Sequence, residues 1–116
     1  MNKMLRVAVG SIPWCDVSTA SYDSVSFSVQ SQDSIPRGVE FSADGTKMYI
    51  MGGASKSIYQ YTLSTAWAVN TASYDSVSFI VSSQDSAPRN VMFNSDGTKM
   101  YILGYQNETV YQYSLC

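Results

Sequence analysis

The 116-residue sequence contains no histidine, and this absence removes several kinds of chemistry. Ser-His-Asp and Cys-His catalysis both require an imidazole, which is also the commonest general base at neutral pH and the commonest metal ligand. Charged residues are scarce as well, at 14% of the chain, and the formal net charge is −2. A balance so close to neutral gives no electrostatic reason to expect a nucleic acid or an anionic membrane as partner.

Long apolar runs are also missing. The stretch 1–13 has two basic residues and a short apolar segment at 7–9, which is too short for the core of a signal peptide. No segment approaches the roughly 18 apolar residues that span a bilayer as a helix. We therefore expect a soluble chain, and we expect no cofactor. The sequence does not identify its compartment, and a virion and the extracellular space are two candidate locations.

What the chain does contain is one repeat, written twice with a constant offset of 52 positions. Its Tyr, Val, Ser and Thr content is typical of half-buried strands rather than of helices. A fixed period of this length is the signature of an array of similar structural units. The matching runs are 19–27 with 71–79, 31–34 with 83–86, 44–50 with 96–102, and 59–61 with 111–113.

Each period divides into four short strands separated by turn residues. Alternation of Val25, Phe27 and Val29 with serines marks the first strand, and Ala-Asp-Gly forms a tight turn later in the repeat. We predict an N-terminal extension at 1–13, a first repeat at 14–66 and a second at 67–116. The predicted strands are 22–29, 38–42, 47–51 and 58–63 in the first repeat, and 74–81, 90–94, 99–103 and 110–115 in the second.

The segments "PRGVEFSADGTKMYIMG" and "SIYQYTL", with their second copies "PRNVMFNSDGTKMYILG" and "TVYQYSL", resemble repeats of the YVTN/NHL-like β-propeller family. Their sequences are also similar to those of repeats in uncharacterised phage and environmental proteins. The resemblance implies an all-β fold with two four-stranded blades per chain. It implies that strand 38–42 is innermost, that 47–51 and 58–63 follow, and that a strand of the 22–29 type is outermost.

Two blades cannot form a propeller alone, because propellers close with about four to eight blades. We expect closure by homo-oligomerisation, with a six-bladed trimer favoured and an eight-bladed tetramer second. Strand 58–63 should receive its outer partner from 74–81, whereas 110–115 has no following strand in the chain. Strand 22–29 of the next protomer would complete that sheet. The segment Leu5–Val9 is a possible extra strand that could add to a sheet edge or compete with the neighbour's last strand.

For function, we expect a non-catalytic binding module that is lectin-like or virion-associated, with glycans as possible ligands. The alternative is a purely structural, self-assembling unit, and a lactonase-like hydrolase comes third. The loops 53–57 and 105–109 differ most between the repeats, which is what either a grafted binding site or neutral drift produces. The candidate ligand-binding residues are Trp14, Trp67, Tyr105, Gln106, Asn107, Glu108, Arg37 and Arg89.

Each candidate also has a structural explanation. Arg37 and Arg89 could line the mouth of a channel and hold an anion, or they could pair with Asp33 and Asp85. The two tryptophans could serve as a ligand platform or pack between blades. Cys15 and Cys116 could form a disulfide between protomers, or they could be unpaired thiols. The carboxylates of the two Asp-Gly turns, Asp44 and Asp96, should bond their own turn backbone rather than calcium.

Overall fold

The computed structural model describes residues 14–116, so the predicted extra strand Leu5–Val9 lies outside the described residues. The expected all-β class is confirmed: the described part is built from strands, with two three-residue 3-10 turns at Val17–Thr19 and Val69–Thr71. The strands are β1 (Pro36–Phe41), β2 (Lys47–Gly52), β3 (Ser57–Leu63), β4 (Ala72–Ile80), β5 (Pro88–Phe93), β6 (Lys99–Gly104) and β7 (Thr109–Ser114).

The strands form two antiparallel sheets. The first sheet has the order β1-β2-β3-β4, and the second has the order β5-β6-β7. Each of the seven strands begins and ends within two residues of a strand drawn from the repeat pattern. The fourth strand of the first sheet, β4, comes from the second repeat, so the sheets do not coincide with the sequence repeats.

The segment 22–29, predicted as a strand that completes a sheet of another copy, belongs to neither sheet of the described residues. A strand requires a partner for its backbone hydrogen bonds. The equivalent strand β4 has β3 as its partner, whereas the partner expected for 22–29 is the last strand of another copy. Residues 14–116 therefore form one four-stranded and one three-stranded sheet, not two of four strands.

A bulge shapes β4 where it pairs with β3. Gln60 lies opposite Val77 and Tyr61 opposite Tyr74, which leaves Asp75 and Ser76 as extra residues on β4. Ser76 has a φ of 58°, in the left-handed region. Such a bulge redirects nearby side chains, and here it turns the Asp75 carboxylate across the sheet.

Two apolar clusters make up the core. The first lies between the sheets and joins Met51 and Ile58 of the first sheet to Val81, Val91, Met100 and Ile102. The second lies on the other face of the first sheet, where Phe27 and Val29 help to cover Met48, Ile50, Tyr59, Tyr61 and Leu63. Across 14–116, no helix is long and apolar enough to span a membrane.

Candidate functional site

The candidate residues fall at opposite ends of the strands. Arg37 and Arg89 are the second residues of β1 and β5, at the same end as the loops that follow β2 and β6. Trp67 lies at the other end, beside the turn that joins β1 to β2. The structure therefore brings Arg89 and Tyr105 together but separates both from Trp67.

Two buried aspartates organise the arginine end. Asp33 accepts hydrogen bonds from the backbone N–H groups of Ile35 (2.8 Å), Ala54 (3.1 Å) and Ser55 (2.9 Å). Its carboxylate occupies the space where a Cβ on Gly52 would stand, so only glycine fits there. Burial raises the pKa of Asp33, but the hydrogen bonds from Ser55, Ile35 and Ala54 outweigh it, so the pKa is lowered overall.

Asp85 repeats this arrangement in the second sheet. It accepts from the backbone N–H groups of Ala87 (2.8 Å), Gln106 (3.2 Å) and Asn107 (3.0 Å). Here too burial opposes the shift and the backbone hydrogen bonds prevail, so the pKa lies below its usual value. Each aspartate ties the loop before an inner strand to the loop that follows the next strand.

The expected pairing of Arg37 with Asp33 and of Arg89 with Asp85 is wrong. Backbone amides occupy both carboxylates, and the ion pair found within residues 14–116 joins Lys47 to Asp75 instead. Arg37 lies against Gly53, and the Arg89 guanidinium stacks on the Tyr105 ring at 4.5 Å from its centroid. A cation over an aromatic face at this distance contributes about 0.5–1 kcal/mol at an exposed site.

The divergent loop at 105–108 is partly committed to structure. Gln106 and Asn107 bond Asp85 through their backbone, and the Asn107 side chain donates to the Gln84 carbonyl (3.0 Å) and to the Tyr111 hydroxyl (2.9 Å). Tyr105 and Glu108 expose their side chains. The groups free to meet a ligand are therefore the Tyr105 ring with its arginine, the Gln106 side-chain amide and the Glu108 carboxylate.

Trp67 folds back onto the first Asp-Gly turn. Its backbone N–H donates to the Gly45 carbonyl at 2.9 Å, and its indole occupies the place of a Cβ on Gly45, whose φ is 75°. The indole also contacts Phe41 at 5.5 Å between ring centroids. Trp14 is almost fully exposed, so the two tryptophans have different surroundings in the single chain.

The remaining candidates are simpler. Cys15 and Cys116 are both exposed free thiols. Asp44 and Asp96 accept from Thr46 and Thr98 of their own turns, which confirms their turn-forming role. Within residues 14–116, no group of three or more potential ligands is arranged to hold a metal ion.

A cleft of about 330 Å³ lies between the sheets, and the sequence did not indicate it. Tyr49 and Phe93 stack across it at 4.3 Å between ring centroids, and Phe79 of β4 meets Tyr113 of β7 edge to face at 5.6 Å. Gln60, Ser78 and Ser114 supply polar groups to a mostly apolar lining. The available signal for the cleft was the presence of aromatic residues at corresponding positions of the two repeats. Whether their rings come into contact depends on how the two sheets pack, which the sequence pattern does not specify.

A polar cluster on the first sheet was also missed. Asp75 accepts from Gln60 Nε2 (2.9 Å) and Thr62 Oγ1 (2.8 Å), and it lies 3.6 Å from Lys47 Nζ. Burial raises the pKa of Asp75, but these hydrogen bonds and the lysine charge lower it overall. The cluster fastens β4 to β2 and β3.

Together, the fold and these clusters define an all-β repeat protein of two antiparallel sheets in which buried aspartates hold the loops. No family model matches the chain, and no curated protein matches it either.

Proposed function

We propose that the chain is the building unit of a homo-oligomeric β-propeller that serves as a non-catalytic binding module. Each sheet acts as one blade, and the exposed groups at the loop end recur around the ring. A non-catalytic role is supported by the carboxylates, because each one accepts hydrogen bonds from its own loop or turn and is not free for acid–base catalysis. These carboxylates are Asp33, Asp85, Asp44 and Asp96. Their lowered pKa values keep them ionised at neutral pH.

The observation that carries this proposal is a difference in burial between repeat-equivalent side chains. Met51 and Ile58 are 0% and 5% exposed in the first sheet, because the second sheet covers them, whereas Leu103 and Val110 are 46% and 63% exposed. On the opposite flank, Val91 is 2% exposed and its equivalent Val39 is 53% exposed. The exposed face of the second sheet therefore corresponds to the face that the first sheet contributes to the internal interface. The exposed face of the first sheet corresponds to the face that the second sheet contributes.

The segment 22–29 supports a head-to-tail closure. Phe27 meets Tyr61 edge to face at 5.7 Å, as Phe79 meets Tyr113 at 5.6 Å. Ser24 has a φ of 59°, matching the 58° of the bulge residue Ser76. The segment is thus placed on the first sheet as β4 is placed on the second, and its free edge is ready for β7 of another copy.

A head-to-tail interface closes into a ring when its rotation divides the circle. Three chains give six blades, the number we favour, and four chains give eight. The same placement puts Cys116 next to Thr19 of the adjoining copy, because its equivalent Ser64 bonds the Thr71 carbonyl at 3.3 Å. Cys15 is four residues away, so a disulfide between chains would reinforce the ring in an oxidising compartment.

Repetition around the ring also supports the binding role. Every chain would present one Arg89–Tyr105 pair with the exposed Glu108 in the same loop as Tyr105, and Arg37 would recur at the equivalent position. An aromatic ring with flanking polar groups suits a hydroxyl-rich ligand such as a glycan. Weak sites on one rigid ring gain affinity through multivalent attachment.

A second candidate function is a structural unit without a ligand. The observation that favours it is the internal use of Asn107, whose backbone N–H bonds Asp85 and whose side-chain amide bonds Gln84 and Tyr111. These groups hold the loop and are not available to a ligand.

We predict that the intact chain forms a discrete oligomer, with three copies favoured, and that deleting residues 1–27 abolishes it and gives aggregates. The deletion removes the segment that would pair with β7 and uncovers the buried Tyr61 ring. Size-exclusion chromatography with light scattering measures both species. A stable intact monomer, or a well-behaved folded monomer from the deletion, would contradict closure.

For the ligand, we predict that the assembled ring binds a subset of glycans on an array at high valency. Replacing Tyr105 with alanine should reduce that binding at least about tenfold, because aromatic contacts dominate such sites. Ser95→Ala, which alters an exposed residue in the turn between β5 and β6, at the opposite end of the strands, is the control. Absence of any glycan binder favours the structural unit.

A further inference from the structure

The polar cluster of the first sheet has a counterpart in the second that lacks one member. In the first sheet, Lys47 Nζ donates to Thr62 Oγ1 at 2.6 Å, and Asp75 accepts from Thr62 and Gln60. These groups come from β2, β3 and the bulge of β4. The cluster is therefore complete only where a fourth strand is present.

At the offset of 52, the second sheet repeats the lysine, the hydroxyl and the amide. Lys99 Nζ donates to Ser114 Oγ at 2.7 Å, and Gln112 stands where Gln60 stands in the first sheet. No carboxylate completes this group within residues 14–116, where the ion pair found is Lys47–Asp75. The second sheet thus carries a cationic site with a donor amide on the open edge of β7.

The carboxylate equivalent to Asp75 is Asp23. It is exposed, and it precedes Ser24, which has the same left-handed backbone as the bulge residue Ser76. The contact of Phe27 with Tyr61 holds the segment on the outer flank of the first sheet. Asp23 is therefore carried in the conformation that directs Asp75, but without the cluster that Asp75 enters.

We propose that Asp23 of one copy enters the Lys99–Gln112–Ser114 cluster of the next copy, and that this contact selects the register of chain assembly. The inference rests on the proposed ring and names the polar contact that orients it. With the pairing of β3 and β4 as template, Val110 would lie opposite Phe27 of the second copy and Ser114 opposite its Ser21. Charge complementarity identifies the occupant as a second copy of this chain.

Charge reversal tests the contact. Under reducing conditions, Asp23→Lys and Lys99→Asp should each raise the concentration at which the oligomer half-dissociates by about tenfold or more, since each places like charges together. The double variant with both changes should return close to the parent value, because every interface then pairs Lys with Asp. Circular dichroism checks that each variant keeps its strands.

Mixing the two single variants provides a sharper readout. In an alternating ring every interface pairs opposite charges, so an even-numbered ring is fully restored, whereas a three-membered ring must keep one like-charged interface. Rescue by mixing also requires the contact to lie between chains. The equivalent reversals Asp75→Lys and Lys47→Asp serve as control, because their partners share one chain and mixing should restore nothing.

The outcomes separate this contact from the ring itself. A monomeric parent chain overturns both. A parent oligomer that Asp23→Lys and Lys99→Asp leave unchanged overturns the contact while the ring stands, and so does a double variant that fails to recover. If a charge reversal unfolds the chain, Asp23→Asn and Lys99→Met replace it, and an unaltered dissociation midpoint for both again overturns the contact.

Discussion

Replacing Asp33 with alanine is expected to lower the free energy of unfolding by about 3 kcal/mol or more, since an unsatisfied buried polar group costs about 1–3 kcal/mol. Three backbone N–H groups, from Ile35, Ala54 and Ser55, lose their acceptor at once. Such a loss is a large fraction of the roughly 5–15 kcal/mol that a small domain has in total. Urea or thermal unfolding measures it.

The same carboxylate makes stability depend on acidity. Its folded pKa is lowered, so its contribution is fully present above about pH 4, the pKa range of an unfolded aspartate. That contribution is lost as the pH falls through the folded value. The parent should lose stability between neutral pH and pH 3 more steeply than Asp33→Ala does.

Glu108→Gln is the matched control, because it removes one negative charge from an exposed loop position. It should change the unfolding free energy by less than about 0.5 kcal/mol, as surface substitutions usually do. If Asp33→Ala is no more destabilising than Glu108→Gln, the carboxylate does not hold the loops.

Aspartate at Val91 and at Val39 should have opposite consequences for folding, although the two valines are repeat equivalents. Val91 lies in the core between the sheets, and an unpaired charge there should unfold the chain. Val39 is half exposed, so Val39→Asp should keep the strand signal in circular dichroism. In the proposed ring Val39 occupies the environment of Val91, and the variant should therefore fail to assemble.

Light scattering and circular dichroism on both variants check this pair. Threonine, which is close to valine in shape, is the control at position 39 and should permit assembly with a smaller penalty. Assembly of Val39→Asp at the parent concentration would show that this flank does not form the interface.

Much of the fold could be predicted from the sequence, for a physical reason. The offset of 52 marks the same turn residues twice, and alternation of apolar and polar residues marks each strand. The pairing of β3 with β4 followed from the order of the segments. The segment 22–29 was read as a strand from the same pattern, but pattern alone does not say whether a partner edge lies in the same chain.

The candidate site was less predictable, because it depends on distances between loops. Asp33 and Asp85 are near arginines in sequence, yet their acceptors are occupied by amides more than 20 residues away. The reach of Asp75 to Lys47 depends on a bulge that no residue type announces. The offset of 52 was the usable signal in the sequence, because it identifies equivalent side chains in the two repeats. Once the structure gives their burial, a side chain that is buried in one repeat and exposed in the other indicates an incomplete contact.

Because β4 of the second repeat pairs in the first sheet, the position of the repeat boundary has a consequence for how such chains could evolve. The second repeat gives its leading strand to the first sheet. If every repeat does so in the proposed ring, inserting or removing one whole repeat leaves every junction between sheets chemically unchanged. The number of repeats encoded in one polypeptide is then independent of the number needed to close a circle. A gene could grow by tandem duplication until a single polypeptide forms the whole proposed ring, without any change to the contacts between neighbouring sheets.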